Sequence, residues 1–513
     1  MPVIQGKHGP LVGAIDEGTS SARFLIFSAE TKQIVAKHQI PLRLSYPKEG
    51  WVEQDPMFIL DVVRECISQA VDNLTAEGCY ASDIVAVGIT NQRETVVAWD
   101  KTTGIPFQDA IVWQDMRTSQ MVDDLIRKLP NGDKNSLAGK NGLPISPYFS
   151  ATKISWLIQN KPEVKLALDE NRLLVGTIDT WLIWNLTGGV NNGLHITDVS
   201  NASRTMLMHI DTLKWDTSLC EFFDVPMKIL PEIHSSAEKY GEIAEGKLQG
   251  VPISGVLGDQ HAALVGQMCF KSGQAKSTYG TGCFLLYNTG EKRVESKFGL
   301  VSTVAYQMGP HKKPVYALEG SVAVAGAAFN WLRDNVDMLS DISQSEALAD
   351  SVGNTGDVYF VPAFSGLYAP YWISDARGVM CGISETTSRS HIIRATLEAV
   401  CFQTRDILDA MNGDCGVPLS RLQVDGGMTA NHLLMQLQAD LIGIPVVRPK
   451  MAETTALGAA LAAGCAPGID LFDLDKEEIM PSDVFEPKIT EDERNERYDK
   501  WKMAVERSLG WET

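Results

Sequence analysis

Long hydrophobic runs are missing from this chain. No stretch of its 513 residues approaches the ~18 consecutive apolar residues of a membrane span, so no membrane insertion is expected. The opening MPVIQGKHGP lacks the apolar centre of a secretory leader, and the closing LGWET carries no lipidation signal, so a cytoplasmic protein is expected. Cysteine is sparse: nine residues, an odd count, scattered and never in a C-x-x-C pair. That argues against a disulfide framework or a zinc site and reads as free thiols in a reducing compartment. Positive charge is short as well. Forty-five Lys and Arg against 64 Asp and Glu leave a formal charge of −19. Nucleic acid and anionic membrane surfaces are therefore poor partners, and an anionic substrate needs a local cationic or metal-bearing site. Familiar phosphate motifs are absent too. No G-x-G-x-x-G follows a strand, and GEIAEGKL (241–248) puts Leu248 where a P-loop needs a hydroxyl for Mg²⁺, so it reads as a surface loop.

What is present is an alternation of apolar, β-branched runs with amphipathic stretches. Residues 11–15, 23–27, 34–40, 84–89 and 95–99 read as strands. Residues 56–74 read as a helix capped by Asp55, with Pro56 in its first turn and Ile59, Val63, Cys66, Ala70 and Leu74 on one face. The second half repeats the logic. Residues 274–290 give strand, turn and strand, and 387–411 a long helix. Residues 421–443 give a strand, a Gly-Gly turn and a helix stopping at Gly443. A last helix starts at Thr490 with a capping box to Glu493 and an apolar face of Tyr498, Trp501, Val505 and Leu509, so it should dock. The acid-rich 470–496 reads as solvated surface. The alternation predicts an α/β protein with parallel or mixed sheets covered by helices.

Two hairpins stand out. LVGAIDEGTSSARFLIF (11–27) and QAKSTYGTGCFLLYNTG (274–290) each join two buried strands through a turn of glycine and short hydroxyls. Gly18 and Gly280 mark related loops in two related halves, each offering the amides and hydroxyls that phosphate oxygens accept from. Either alone is an ordinary turn.

AIDEGTSSARF, ITNQRETVVAWD, GDQHAALVGQ, STYGTGCF, EGSVAVAGAAFNWLRD and VDGGMTAN, in this order, resemble the FGGY sugar and polyol kinases. YFSATKISWLIQN (148–160) and RGVMCGISETTSRSHIIRATLE (377–398) resemble the two signature stretches of that family, and the similarity runs from about residue 11 to 510. The resemblance implies two ribonuclease-H-like lobes of the actin/Hsp70 type around a central cleft: 1–268, holding the acceptor site and first phosphate loop, and 269–513, holding the second loop and adenosine site. It implies ATP with Mg²⁺ and phosphorylation of glycerol to glycerol 3-phosphate, and leaves room for a homodimer or homotetramer.

Residue by residue, the resemblance implies that Arg93 and Glu94 bind the polyol hydroxyls, a fixed cationic fork beside a carboxylate suiting a triol. Trp113 and Phe284 would wall its carbon backbone and Tyr148 would touch a hydroxyl. Asp259 would take the proton of the attacking hydroxyl, with Gln260 orienting it. Read cold, Arg93 and Glu94 are surface charges, the aromatics are core, and Asp259 is a helix N-cap whose helix terminus keeps it ionised. Thr19, Ser20, Ser21 and Arg23 match the first phosphate loop and Thr281 the second. Gly326, Asn330, Gly427 and Asn431 match the nucleotide side, Asn330 standing where bacterial members have Gln. Asp16 would hold Mg²⁺. Glu17 stands where bacterial members have Gln.

Three departures bear on regulation. The place of the bacterial fructose 1,6-bisphosphate loop reads EGKLQG, without Arg, so that inhibition is not expected. No His lies between Ser236 and Gly255, so phosphohistidine activation is not expected either. The hydrophobic tail of some animal members is absent. Two other readings remain: the same fold acting on a pentulose or tetritol, and a non-catalytic actin-like binding protein, which would have lost Asp16, Arg93, Glu94 and Asp259.

Overall fold

The computed structural model describes residues 7–322, 324–364, 366–373, 375–476 and 480–511; most of the opening decapeptide and the last two residues, on which the leader and tail readings rest, lie outside them. Thirteen strands and eight helices of the described residues suffice to place the site. In the first half these are β1 (Leu11–Glu17), β2 (Ser21–Ser28), β3 (Ile34–Pro41), α1 (Pro56–Ala76), β4 (Ile84–Asn91), α2 (Ser150–Asn160), β5 (Ala237–Glu242), β6 (Pro252–Gly258) and α3 (Asp259–Gly266). In the second they are β7 (Ala275–Tyr279), β8 (Cys283–Gly290), β9 (Val301–Tyr306), β10 (Val315–Val322), α4 (Gly326–Asp334), α5 (Arg389–Cys415), β11 (Leu422–Asp425), α6 (His432–Ile442), β12 (Val446–Pro449), α7 (Thr454–Cys465), β13 (Ser482–Phe485) and α8 (Glu491–Arg507).

The first sheet runs β5-β6-β4-β1-β2-β3 and the second β9-β10-β8-β7-β11-β12-β13. Apart from the extra edge strand β9, the two have one plan. Each is built on an antiparallel hairpin whose second strand pairs with another antiparallel strand, and whose first strand pairs with a parallel strand carrying a second one beyond it. Each sheet then closes on an antiparallel edge strand. This duplicated hairpin-led plan is the two-lobed architecture of actin-like ATPases. Strands β1 and β4, sheet-centred and covered on both faces, are near-continuous apolar runs for that reason.

Local expectations hold in detail. Asp55 Oδ1 accepts from the amides of Met57 (2.8 Å) and Phe58 (3.2 Å), and all five residues of the expected face of α1 are buried. Gly443 ends α6 at φ 73°. None of the nine cysteines is in a disulfide. Residues 241–248 turn the hairpin between β5 and β6, with Leu248 buried under it. Some boundaries differ. The strand expected at 95–99 begins at Val97, because the chain turns at Glu94 (φ 61°) and Thr95 bonds back to the carbonyl of Arg93. The acidic 470–496 lies at the surface as expected, none of its described residues being buried, and within it Ser482–Phe485 pairs with β12 as a sheet edge. Thr490 caps α8 and Trp501 and Val505 are buried, but Leu509 lies beyond the helix end and is exposed.

The seam between the halves is made of small residues. Helix α7 lies against α3 and the first sheet so closely that side chains are excluded. A Cβ on Gly458 would stand 1.8 Å from the carbonyl oxygen of Ala262, and one on Gly88 would stand 2.1 Å from that of Ala459. A shared core of Val12, Ala14, Leu25, Leu286, Ala305, Ala317 and Ala456–Ala463 fills the space. Gly458→Ala is therefore expected to cost about 1–3 kcal/mol of stability through overpacking. A urea midpoint equal to the wild type would show that the two helices separate freely.

Candidate active site

The site forms where the carboxyl ends of three neighbouring parallel strands meet, the usual ligand position in an open α/β sheet. In register, Glu17 of β1 and Gly258 of β6 both pair with Asn91 of β4. The residues around these ends are Asp16 and Glu17, Arg93 and Glu94, and Asp259. Fold geometry alone thus gathers acids and a base that are distant in sequence.

Arg93 and Glu94 are not surface charges: they are 3% and 1% exposed. Arg93 forks onto Glu319 of β10, with Nη1 to Oε2 at 2.6 Å and Nη2 to Oε1 at 3.0 Å, and its Nε lies 3.2 Å from Oδ1 of Asp259. Glu94 accepts from Nε of Arg204 at 2.5 Å, and Nη2 of Arg204 reaches Glu319 at 3.1 Å. Buried charges survive only when paired in this way. The two arginines hold the Glu319 carboxyl well below the usual carboxylate range, against its burial. Glu94 and Asp259 are pushed up, because burial outweighs Arg204 for one and Arg93 for the other. At Asp259 burial therefore works against the helix terminus and moves the pKa up rather than down. Asp259 is also not the cap. Gly258 takes that position, and Asp259 opens α3 with Oδ1 accepting from the amide of Gln260 at 2.7 Å.

Three rings face this polar set. Trp113 meets Tyr148 edge-on at 5.6 Å and Phe284 at 6.0 Å between centroids, and the Arg93 guanidinium lies 6.0 Å from the Phe284 ring. Tyr148 is set by Lys153, whose buried ammonium donates to the carbonyls of Pro147 (2.6 Å) and Tyr148 (2.7 Å). Burial lowers that lysine to about 7. Gln260 accepts at Oε1 from Nζ of Lys276, a buried lysine lowered by burial to about 8.

The first hairpin joins this wall directly: Trp113 Nε1 donates to Oγ1 of Thr19 at 2.9 Å. Its turn is held by the Gly18 amide donating to the Ser21 carbonyl, leaving the Ser20 side chain exposed. Arg23 lies between Asp16 (3.1 Å) and Glu453 (2.5 Å). Glu17 is buried and accepts from Gln92, which also donates to Gln54, which in turn donates to the Thr19 carbonyl. Burial pushes Glu17 up to about 8, against the hydrogen bonds from Gln92, which favours its neutral form near neutral pH. The second hairpin is stitched to the start of α4: Gly326 donates to the Gly280 carbonyl, and Ala325 and Ala327 to that of Thr281. A Cβ on Gly326 would meet that Gly280 oxygen at 2.7 Å, so this glycine serves close packing, whereas Gly427 has open space beside it. Asn330 is exposed on α4, and Asn431 caps α6 through Oδ1 to the Leu434 amide.

For a divalent cation the fit rests on Asp16. Its Oδ2 is buried, makes no geometric hydrogen bond and lies 3.1 Å from Nε of Arg23; burial raises the carboxyl to about 6 against the pull of that arginine. Among the described residues no group of three or more His, Cys, Asp or Glu is arranged to hold a metal. Mg²⁺ keeps most of its waters and needs few protein ligands, so one carboxylate such as Asp16 is an adequate donor for it.

Arg204, Glu319, Lys153, Lys276 and Glu453 went unremarked in the sequence. Glu319 and Lys153 lie inside stretches that carry the family resemblance, which was the available signal; Arg204 had none.

The fold and site define a two-lobed nucleotide-dependent kinase, and comparison with known proteins agrees. Models of the FGGY family of carbohydrate kinases match residues 11–266 (N-terminal domain) and 275–466 (C-terminal domain). The chain belongs to the FGGY family of carbohydrate kinases. A glycerol kinase of Arabidopsis thaliana is 51% identical, covering 98% of each chain, and a probable glycerol kinase of Dictyostelium discoideum is 49% identical, covering 98% of this chain and 99% of its own. Among solved structures, Plasmodium falciparum glycerol kinase with ADP superposes at TM-score 0.90 with 41% identity, over 98% of this chain and 99% of that one. Xylulose kinase from Lactobacillus acidophilus shares the fold at TM-score 0.82 and 21% identity, over 97% of both. No helix among the described residues is long and apolar enough to cross a membrane.

Proposed function

We propose that this protein transfers the γ-phosphoryl group of ATP to a terminal hydroxyl of glycerol, giving sn-glycerol 3-phosphate and ADP. The observation that carries the reading is the meeting of Arg93, Glu94, Asp259 and the Trp113–Tyr148–Phe284 wall one hydrogen bond from the Thr19 turn. A small triol presents hydroxyls to the charges and C–H faces to the rings. Its relatives at about half identity over nearly full length are glycerol kinases. Asp259 takes the proton of the attacking hydroxyl as its oxygen bonds to phosphorus, and the bond to ADP breaks on the opposite side. A loose transition state asks more of positioning than of basicity, so a modest base suffices.

The turns at Thr19–Ser21 and Thr281 would cradle the phosphates, with Arg23 released to them from Glu453. Gly326, Asn330, Gly427 and Asn431 would face the nucleoside. Mg²⁺ carried with the nucleotide would draw on Asp16 and would neutralise phosphate charge. The lobes 1–268 and 269–513 would close to exclude water. The protein would work in the cytoplasm, as a homodimer or homotetramer.

A coupled ADP-release assay with ATP and a panel of glycerol, erythritol, xylulose and gluconate tests this. ADP release is expected with glycerol and to be at least about tenfold slower with the others. Preference for a ketose would transfer the reading to another substrate of the same fold.

A further inference from the structure

The second sheet touches the acceptor site with one face. Lys276 pairs with Leu286 and Leu286 with Glu319, while Thr278 pairs with Phe284 and Phe284 with Ser321. Directly opposed residues, and residues two apart, point the same way from a sheet. Lys276, Phe284 and Glu319 therefore share a face, and each meets a residue of the first half. Lys276 donates to Gln260, Phe284 packs on Trp113, and Glu319 accepts the fork of Arg93. Glu319 spends both oxygens on arginines, and is 2% exposed.

We infer that Glu319 is a positioning residue for the acceptor: from the second lobe it fixes the Arg93 guanidinium, so that the polyol-binding fork exists only while that lobe is docked. Two N–H groups of Arg93 are turned to Glu319 and the Nε to Asp259, which leaves one N–H on each terminal nitrogen for substrate. Without Glu319 the guanidinium has Asp259 alone as a carboxylate partner and swings toward the base. Acceptor binding and lobe docking are then one event, because the same carboxylate serves both.

The inference rests on the reading of the cleft as a polyol kinase, and the wild type controls for that reading: no ADP release with glycerol would sink the function itself. In an active wild type, Glu319→Gln keeps the shape and loses the charge. It is expected to raise the glycerol KM at least about tenfold with the ATP KM within about twofold, a split that general loosening of the fold does not produce. Combined with Arg93→Lys it should add much less than its separate effect. A glycerol KM within about twofold of wild type, or equal rises in both KM values, overturns the inference. If Glu319→Gln is not recovered folded, Glu319→Asp keeps the charge one methylene short; it is expected to raise the glycerol KM alone, and an unchanged value overturns the inference equally.

Discussion

Asp259→Asn is expected to lower kcat roughly 10²- to 10⁴-fold while moving the glycerol dissociation constant by less than about threefold. Asparagine keeps the size of the side chain at the start of α3 and an oxygen for the Gln260 amide, but cannot accept a proton. The lost charge weakens one contact to Arg93, at Nε, while the fork to Glu319 remains and holds the guanidinium in place. The pH profile gives a second readout. Burial raises the Asp259 pKa, and a base works only when ionised, so activity falls as pH drops through that raised value. The acid limb of kcat/KM should thus lie above the range of a free aspartate, and what activity remains in the variant should lack it. Rates near wild type in Asp259→Asn would remove the base assignment and leave positioning as the whole of catalysis.

Much of this was legible in the sequence because periodicity and turn chemistry are local. The α1 face, its Asp55 cap, the Gly443 stop and both hairpins depend on residues within a few positions of one another. The duplicated plan was visible as two hydroxyl-bearing turns about 260 residues apart, at Gly18 and Gly280. The burial of Arg93 and Glu94 was not visible, since an adjacent acid and base after a strand look like solvent-facing charges until their partners are known. Those partners, Arg204 and Glu319, lie 110 and 226 residues away from Glu94 and Arg93 respectively. Only the convergence of strand ends and the docking of the second sheet bring them in. The role of Glu17 was hidden for a related reason. Its charge depends on burial beside Gln92, which raises its pKa, and that burial does not show in the sequence around it. The small-residue helix Thr454–Cys465 gave no sign in its composition that it would pack on the first sheet rather than the second.

Arg204→Met should be the most damaging single change to stability that leaves every residue contacting the acceptor in place. Methionine keeps the stem of the side chain and removes the guanidinium, so the change isolates charge from volume. Glu319 retains Arg93, but Glu94 loses the only ion pair it makes among the described residues and stays almost wholly buried. Removing one member of a buried pair typically costs about 3–5 kcal/mol, a large part of the about 5–15 kcal/mol that holds a domain folded. The pH dependence identifies the cause. The Glu94 pKa is already raised above its ordinary 4.5 by burial, with Arg204 as the largest opposing influence, so the variant raises it further. Between 4.5 and that raised value the native state binds a proton that the unfolded state does not, so stability falls as pH rises through this window. The deficit of Arg204→Met against wild type should therefore grow as pH rises through the raised pKa and shrink as pH is lowered toward 4.5, where a protonated Glu94 needs no counter-ion. Urea unfolding of both proteins at several pH values measures it directly. A deficit independent of pH would assign the loss to packing of the Arg204 head group instead. No deficit at all would mean that water reaches Glu94 when its partner is gone, and that the acceptor site is less enclosed than the pairing of Arg93, Glu94, Arg204 and Glu319 implies.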